Sequence, residues 1–405
     1  MKTLFKENKA FRLLLGYQFF SSLGGAIFSF FMMLSVHLLY QNPVYTGIAG
    51  FFMTVPFIFA VGVGPIIDRG NKVAIIRFTA LLEFAVLAAL ALASRQESMS
   101  VVFMLGALLL YSIVGLFNGP ASSALRPQVV GKDKIMEANS LIQIVTLIGG
   151  IGIAVLLFSS LGEGVDFTFL YGLSAAFVGI SFIFSLLLKN PTTQETTAAP
   201  TSYIEDLKAG ARFVRHNVLL YLTIAIVAKA FVIQMVAVNM PAFAEYHVGA
   251  QGYVVFAVVG MGGGLLASSL IGMFGKRAKI SVLFLGTFAV AGIARIAFVH
   301  ILPDNYHLGL GILLLYAALS NATGLIFQSL EQKIPPKDMV ARVDTLSGTI
   351  VSVFVSLGAL AGGFIGRTIP NVANIFVYQG IAFIAIGLLI FLVPAVRKLG
   401  KMDEI

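Results

Sequence analysis

Three charged side chains stand inside long apolar runs of this chain: Glu83, Lys229 and Arg295. A charge in hydrocarbon costs roughly 2.5–3.5 kcal/mol on insertion scales, so each calls for a compensating role. Glu83 is the one carboxyl well inside a run, about 9 Å beyond Arg77 at ~1.5 Å per helical residue. Such a carboxyl can take up and release a proton, and once protonated it moves with its helix without dragging a bare charge; the plainer alternative is a structural ion pair or a position near surface water. Lys229, at the middle of its run, could receive an anionic group, neutralise Glu83, or serve a structural pair. Arg295 sits beyond the middle of its run, where it could also meet an anion or contact headgroups and backbone. Neutral polar residues in similar settings, Gln18, Asn139, Gln143, Gln234, Asn239, Asn321 and Gln328, could line a cavity or bond one helix to another.

A second constellation is short and local. Gly64, Asp68, Arg69 and Lys72 occupy one tight connector, and Arg126 closes a later apolar run. A carboxylate in a basic loop can accept hydrogen bonds at the N-terminus of a neighbouring helix, where the dipole favours an anion, and the segment from Arg342 to Thr345 is the expected partner. Arg69 and Lys72 could reach phosphates or acidic groups, and Arg126 could pair with Asp68, although loop charge alone is enough to account for Lys72.

The elements that must position these residues follow from periodicity and charge. Twelve apolar runs are expected as membrane-crossing helices, at 11–39, 46–67, 73–94, 99–122, 137–161, 167–189, 217–240, 250–274, 279–301, 307–332, 340–366 and 371–396. The first is much longer than a signal-peptide core and reads as a retained helix. All 27 Lys and Arg residues except Arg95, Arg367, Lys229 and Arg295 fall in every second connector or at the termini. Positive loops stay cytoplasmic, so an even number of crossings with both termini inside is expected.

Composition agrees. The 405 residues are 58% hydrophobic and 11% charged, too apolar for a water-soluble surface. The net charge of +9 is accounted for by loops facing anionic lipid headgroups, and no nucleic-acid site is expected. With no Cys, disulfides and thiolate metal sites are excluded, and five scattered His residues show no ligand spacing, so neither metal nor cofactor is expected. The runs GMGGG (Gly260 to Gly264) and GALAGG (Gly358 to Gly363) lie mid-span, where they serve close helix packing rather than phosphate binding. No nucleophile, base or metal cluster suits an intramembrane enzyme, and a channel filter commonly needs oligomeric symmetry.

The chain divides at 190–216, where PTTQETTAAPTS precedes an amphipathic stretch, Tyr203 to Arg215, with Ile204, Leu207, Ala211 and Val214 on one face. Residues 1–189 and 217–405 are then two six-helix halves. GPIIDRGNKVAII (Gly64 to Ile76) is echoed by LIGMFGKRAKISV (Leu270 to Val282), and GKDKIMEANSL (Gly131 to Leu141) by PKDMVARVDTL (Pro336 to Leu346), in the same order, as duplication requires.

Twelve spans in a 6+6 duplication, with G-x-x-x-D-R-x-x-K after the second, resemble the major facilitator superfamily over the whole chain. Gly64, Asp68, Arg69 and Lys72 meet its loop signature; Asn71 and Val73 depart from it, and Gly275 replaces the acid in the second copy. The segment Phe117 to Leu141 resembles the macrolide-efflux and siderophore-export group. Two features of the family's drug/proton antiporters are missing: Tyr111 stands where an Arg of the fourth span is usual, and GGIGIAV (Gly149 to Val155) lacks a Gly-Pro pair. The resemblance implies an all-α integral membrane protein of the bacterial plasma membrane, functional as a monomer. It implies a secondary transporter working by alternating access. Proton-coupled export of amphipathic small molecules is the leading expectation, with membrane lipid as its surroundings. Glu83 would couple protons; Lys229, Gln18, Gln143, Gln234, Asn239, Asn321 and Arg295 would bind substrate; Gly64, Asp68, Arg69, Lys72 and Arg126 would form a conformational latch. The alternative keeps the fold but gives Lys229 and Arg295 an anionic cargo, such as a siderophore, a metabolite or a lipid headgroup.

Overall fold

No water in hydrocarbon replaces a lost backbone hydrogen bond, so an apolar run must close its bonds within itself as a helix. The computed structural model describes residues 8–95, 99–131, 134–160, 166–190, 203–274, 279–336, 339–401 and 404. Its helices are α1 (Lys9–Tyr40), α2 (Pro43–Thr54), α3 (Ala60–Arg69), α4 (Lys72–Ala93), α5 (Val101–Val130), α6 (Ile135–Ser160) and α7 (Phe167–Leu187). After the linker come α8 (Tyr203–Arg215), α9 (Leu219–Ala237), α10 (Met240–Val248), α11 (Ala250–Phe274) and α12 (Ile280–Ile301). The chain ends with α13 (Tyr306–Lys333), α14 (Val340–Thr368), α15 (Ala373–Leu392) and the short α16 (Pro394–Arg397).

Among the described residues, 10 helices are long and apolar enough to cross a membrane. The two other expected spans correspond to α6 and to α2 with α3, so every predicted span has a helical counterpart. The second span is broken where the sequence reading made it continuous. Pro56 lacks an amide hydrogen and crowds the preceding turn, and Val55–Phe59 tightens into a 3-10 segment. Asn42 caps the start of α2, its side chain accepting from the Val44 amide, with Pro43 in the first turn. The seventh span is also shorter than predicted, because α9 ends at Ala237 and Pro241 opens the separate helix α10.

The chain forms two compact units, Met1–Tyr40 with Phe59–Pro200, and Gln41–Ile58 with Thr201–Ile405. Sequence alone assigned all of 1–189 to one half; in the structure Gln41–Ile58 packs with the second unit, against α14. Small residues are the reason. A Cβ added at Gly47 would lie 2.6 Å from the Gly363 Cα, and one at Gly50 would lie 2.6 Å from the Val238 side chain. Thr54 and Ser356 join the two helices by a 3.0 Å hydroxyl pair.

In the first unit α1 packs on α7 and α6, and α4 packs on α7 and α5. Its core includes Leu14, Tyr17, Ile76, Ala80, Leu116 and Leu125. Arg77 on α4 caps the C-terminal end of α7, its Nε donating to the Ser185 carbonyl at 3.1 Å and an Nη to that of Leu188 at 2.5 Å. In the second unit α12 packs between α13 and α15, α11 against α13, and α9 against α14. Phe243, Phe284, Phe288, Phe298, Phe376 and Phe383 are fully buried there. The glycine-rich runs do the packing expected of them: a Cβ at Gly263 would meet Ala317, and one at Gly358 or Gly362 would strike the carbonyl of Phe231 or Met235.

Candidate functional site

In the first unit the site is built on α4, whose inward stripe runs Val73, Ile76, Thr79, Ala80, Glu83, Val86, Leu87 and Leu90. The 3.6-residue repeat that buries the apolar members carries Glu83 into the core with them, where it is 3% exposed. Asn118 on α5 answers it: the amide Nδ2 lies 2.8 Å from Oε1 and 3.0 Å from Oε2 and donates to the carboxyl. The Asn118 carbonyl oxygen in turn accepts from the Tyr17 hydroxyl on α1. Three helices are therefore linked in one polar chain, Tyr17 to Asn118 to Glu83, inside an apolar core. Among the described residues no basic side chain stands against Glu83. A carboxyl held by a neutral amide alone can be protonated or deprotonated without breaking an ion pair.

Next to Tyr17, Gln18 donates to the Ser122 hydroxyl at 2.7 Å, and its own carbonyl oxygen is buried with no partner. Gln143 on α6 is exposed. Gln234 on α9 is half-buried near Gly50.

The second unit holds both interior cations. Lys229 on α9 is 7% exposed, and its ammonium donates to the Ser320 carbonyl of α13 at 2.5 Å. Arg295 on α12 is 2% exposed. Its Nε donates to Gln379 Oε1 on α15 at 2.7 Å, and its guanidinium lies 4.5 Å from the Tyr316 ring centre, 4.6 Å from that of Phe376 and 5.5 Å from that of Phe298. One terminal nitrogen, Nη1, is buried without a partner. The headgroup contact considered for Arg295 is thereby replaced by an internal aromatic box, because α12 turns this face toward α13 and α15. Asn239 is 1% exposed and spends its amide on the carbonyls of Met235 at 3.0 Å and Gly362 at 2.9 Å. Asn321, on the exposed side of α13, donates to the Ala317 carbonyl of its own helix.

Of the loop constellation, the side chain of Asp68 lies outside the described residues. Arg69 is exposed and Lys72 half-buried. A Cβ at Gly64 would meet open space, so the close helix approach expected there is not what the structure uses this glycine for. Asn71, which departs from the family signature, caps α4 by accepting from the Ala74 amide at 3.1 Å. Arg126 donates to Asn139 Oδ1 on α6 at 2.7 Å and to the Ser123 hydroxyl at 3.3 Å, leaving its Nε buried without a partner.

Sequence reasoning missed four partners. Tyr17, Asn118 and Gln379 are common residue types whose role appears only when their helices meet. Glu331, near the end of α13, reads as a charge at the polar end of the span 307–332 but is 6% exposed; it faces Ser347 on α14, and its Oε1 has no partner. No group of three potential metal ligands occurs among the described residues.

An all-helical architecture of apolar spans, with isolated buried charges and polar chains between helices, defines a multi-pass membrane protein. Residues 14–359 match the profile of the Major Facilitator Superfamily, and the chain belongs to that family of membrane transporters. No curated protein sequence gives a significant match. Solved structures similar to this chain include the nucleoside transporter NupG, with TM-score 0.74 at 15% identity, covering 96% of this chain and 99% of that one. A bacterial homologue of the iron transporter ferroportin in an inward-facing state gives TM-score 0.72 at 15% identity, over 96% and 98%. A mutant of the peptide transporter POT in complex with sulfate gives TM-score 0.72 at 14% identity, over 97% and 96%. These likenesses concern the fold.

Proposed function

We propose that this protein is a secondary transporter that exports amphipathic small molecules, macrolide-like compounds among them, by alternating access driven by protons, with Glu83 as the coupling group. The observation that carries the reading is the buried Glu83 carboxyl, which among the described residues is held by the neutral Asn118 amide, itself fixed by the Tyr17 hydroxyl. A naked carboxylate in hydrocarbon resists movement, and a protonated one does not, so loading with a proton licenses reorientation of the empty carrier. The exporter-like segment from Phe117 to Leu141 contributes Asn118 itself and supports export over uptake. The protein would lie in a bacterial plasma membrane with both termini cytoplasmic, act as a monomer, and use Gly64, Asp68, Arg69, Lys72 and Arg126 as a latch between its alternating states.

The test is transport in proteoliposomes under an imposed pH gradient. Glu83→Gln should abolish proton-driven accumulation of a macrolide or lipophilic cation while leaving substrate exchange in place. Transport by Glu83→Gln with wild-type pH dependence would remove Glu83 from coupling.

A second reading rests on Lys229, whose described bond is to a backbone carbonyl rather than a carboxylate, an arrangement that leaves its charge available to an anion. In that case the cargo is a siderophore, an anionic metabolite or a lipid headgroup. Thermal stabilisation of wild type and Lys229→Ala by cationic, neutral and anionic ligands separates the two: stabilisation by anions alone, lost in the variant, selects the anion carrier.

A further inference from the structure

We propose that the cleft bounded by α8, α9 and α14 binds an anionic phospholipid, with an acyl chain in the cleft and the phosphate at Arg215. The cleft has a volume of about 400 Å³ and its walls are apolar: Val214 of α8, Leu220 and Val227 of α9, and Leu346, Ile350 and Phe354 of α14. A smaller cleft of about 220 Å³ adjoins it, between α9 and the end of α15, and Ile224 and Ala228 line both. Two apolar grooves on either side of one helical ridge suit the two chains of a diacyl lipid.

The mouth specifies the charge of the occupant. Arg215 lies on the rim of the larger cleft, and Arg212 and Lys208 follow it back along α8, all three exposed. Spacing of three and four residues puts them on one side of the helix. Glu205, the acidic residue of α8 with a described side chain, lies beyond Lys208 on the side away from the cleft mouth. The wall itself offers an occupant no polar group: Thr223 lines the cleft but is 5% exposed, with its hydroxyl oxygen buried out of reach. A basic rim beside an apolar trough is the order of groups along an anionic phospholipid. The seat is held open by backbone contact, because Gly210 brings α8 against the Arg342 carbonyl of α14, where a Cβ would lie at 2.7 Å.

The experiment uses the full chain in nanodiscs containing phosphatidylglycerol with a photoactivatable group in the acyl chain. Crosslinks should concentrate on peptides holding Thr223, Val227, Ile350 and Phe354. In parallel, native mass spectrometry compares retention of phosphatidylglycerol and phosphatidylcholine of identical chains by wild type, Ala211→Phe and Arg215→Gln. Ala211 is exposed on α8 and lines the cleft, so the larger side chain fills the trough without entering the core. Ala211→Phe should lower retention of both lipids about tenfold, equivalent to ~1.4 kcal/mol, and Arg215→Gln should erase the preference for phosphatidylglycerol. Crosslinks spread over all exposed helices, or equal retention of the two lipids by wild type, would reduce the occupant to ordinary surrounding lipid and overturn the proposal. The wild-type labelling decides the matter even if a variant fails to fold.

Discussion

Asn118→Leu tests whether the buried polar chain is held together by its central amide. The substitution keeps the branched outline of Asn in a larger, apolar side chain and leaves three orphans: both Glu83 carboxyl oxygens lose their donor and the Tyr17 hydroxyl loses its acceptor. All sit in a core where Glu83 is 3% and Tyr17 1% exposed, so water cannot step in. An unsatisfied buried polar group costs about 1–3 kcal/mol; allowing for relaxation and for Leu burying slightly more apolar surface, the expected loss is about 3 kcal/mol. In a background of Tyr17→Phe with Glu83→Met, the same change orphans nothing and should cost under ~1 kcal/mol. The assay is reversible unfolding in mixed micelles by denaturing detergent, run as a cycle over the four proteins. The difference between the two backgrounds is the coupling energy, expected to be about 2 kcal/mol. Equal losses in both backgrounds would refute the chain, and would mean that Asn118 contributes only volume.

Other substitutions probe the second unit and the loop. Gly362→Ala would drive a Cβ into the Met235 carbonyl and disturb the Asn239 bond to Gly362, so a loss of several kcal/mol is expected, whereas Gly64→Ala meets open space and should leave the melting temperature unchanged. Arg295→Lys should lower stability by about 1–3 kcal/mol, because an ammonium cannot both donate along the Nε direction to Gln379 and stack flat on Tyr316 and Phe376; thermal melting of the variant with and without Gln379→Leu isolates the hydrogen bond. Asn71→Ala removes the cap of α4 and should cost about 1 kcal/mol without altering substrate binding, which chemical unfolding and ligand titration of the same variant check together.

The candidate site is defined by where polar residues meet, and sequence and structure divide that knowledge unevenly. Glu83, Lys229 and Arg295 stand out in the sequence because each interrupts an apolar run. Their partners do not stand out. Asn118 looks like one small polar residue in FNGPASS, and Gln379 like a stray amide in a terminal span. Glu331 was hidden for the opposite reason: next to Gln332 and Lys333 it resembles the polar end of a helix, and only the packing of α14 over it removes it from solvent.

What the sequence by itself determined is whatever the bilayer reads locally. Run length sets the number of crossing helices, because backbone bonds in hydrocarbon must close within the segment; from charge alternation and paired motifs the sequence offers an expected orientation and an expected pair of related halves. Tertiary structure alone decided the rest. That Gln41–Ile58 packs with α14 follows from glycines far apart in sequence, Gly47 and Gly363, whose missing side chains matter only when placed face to face. That Arg295 is internal, in an aromatic box, depends on which face of α12 meets α13 and α15, a choice that an almost uniformly apolar helix leaves open. In a membrane helix apolar residues point everywhere, so periodicity loses the power to tell inside from outside, and the contacts between helices must supply it.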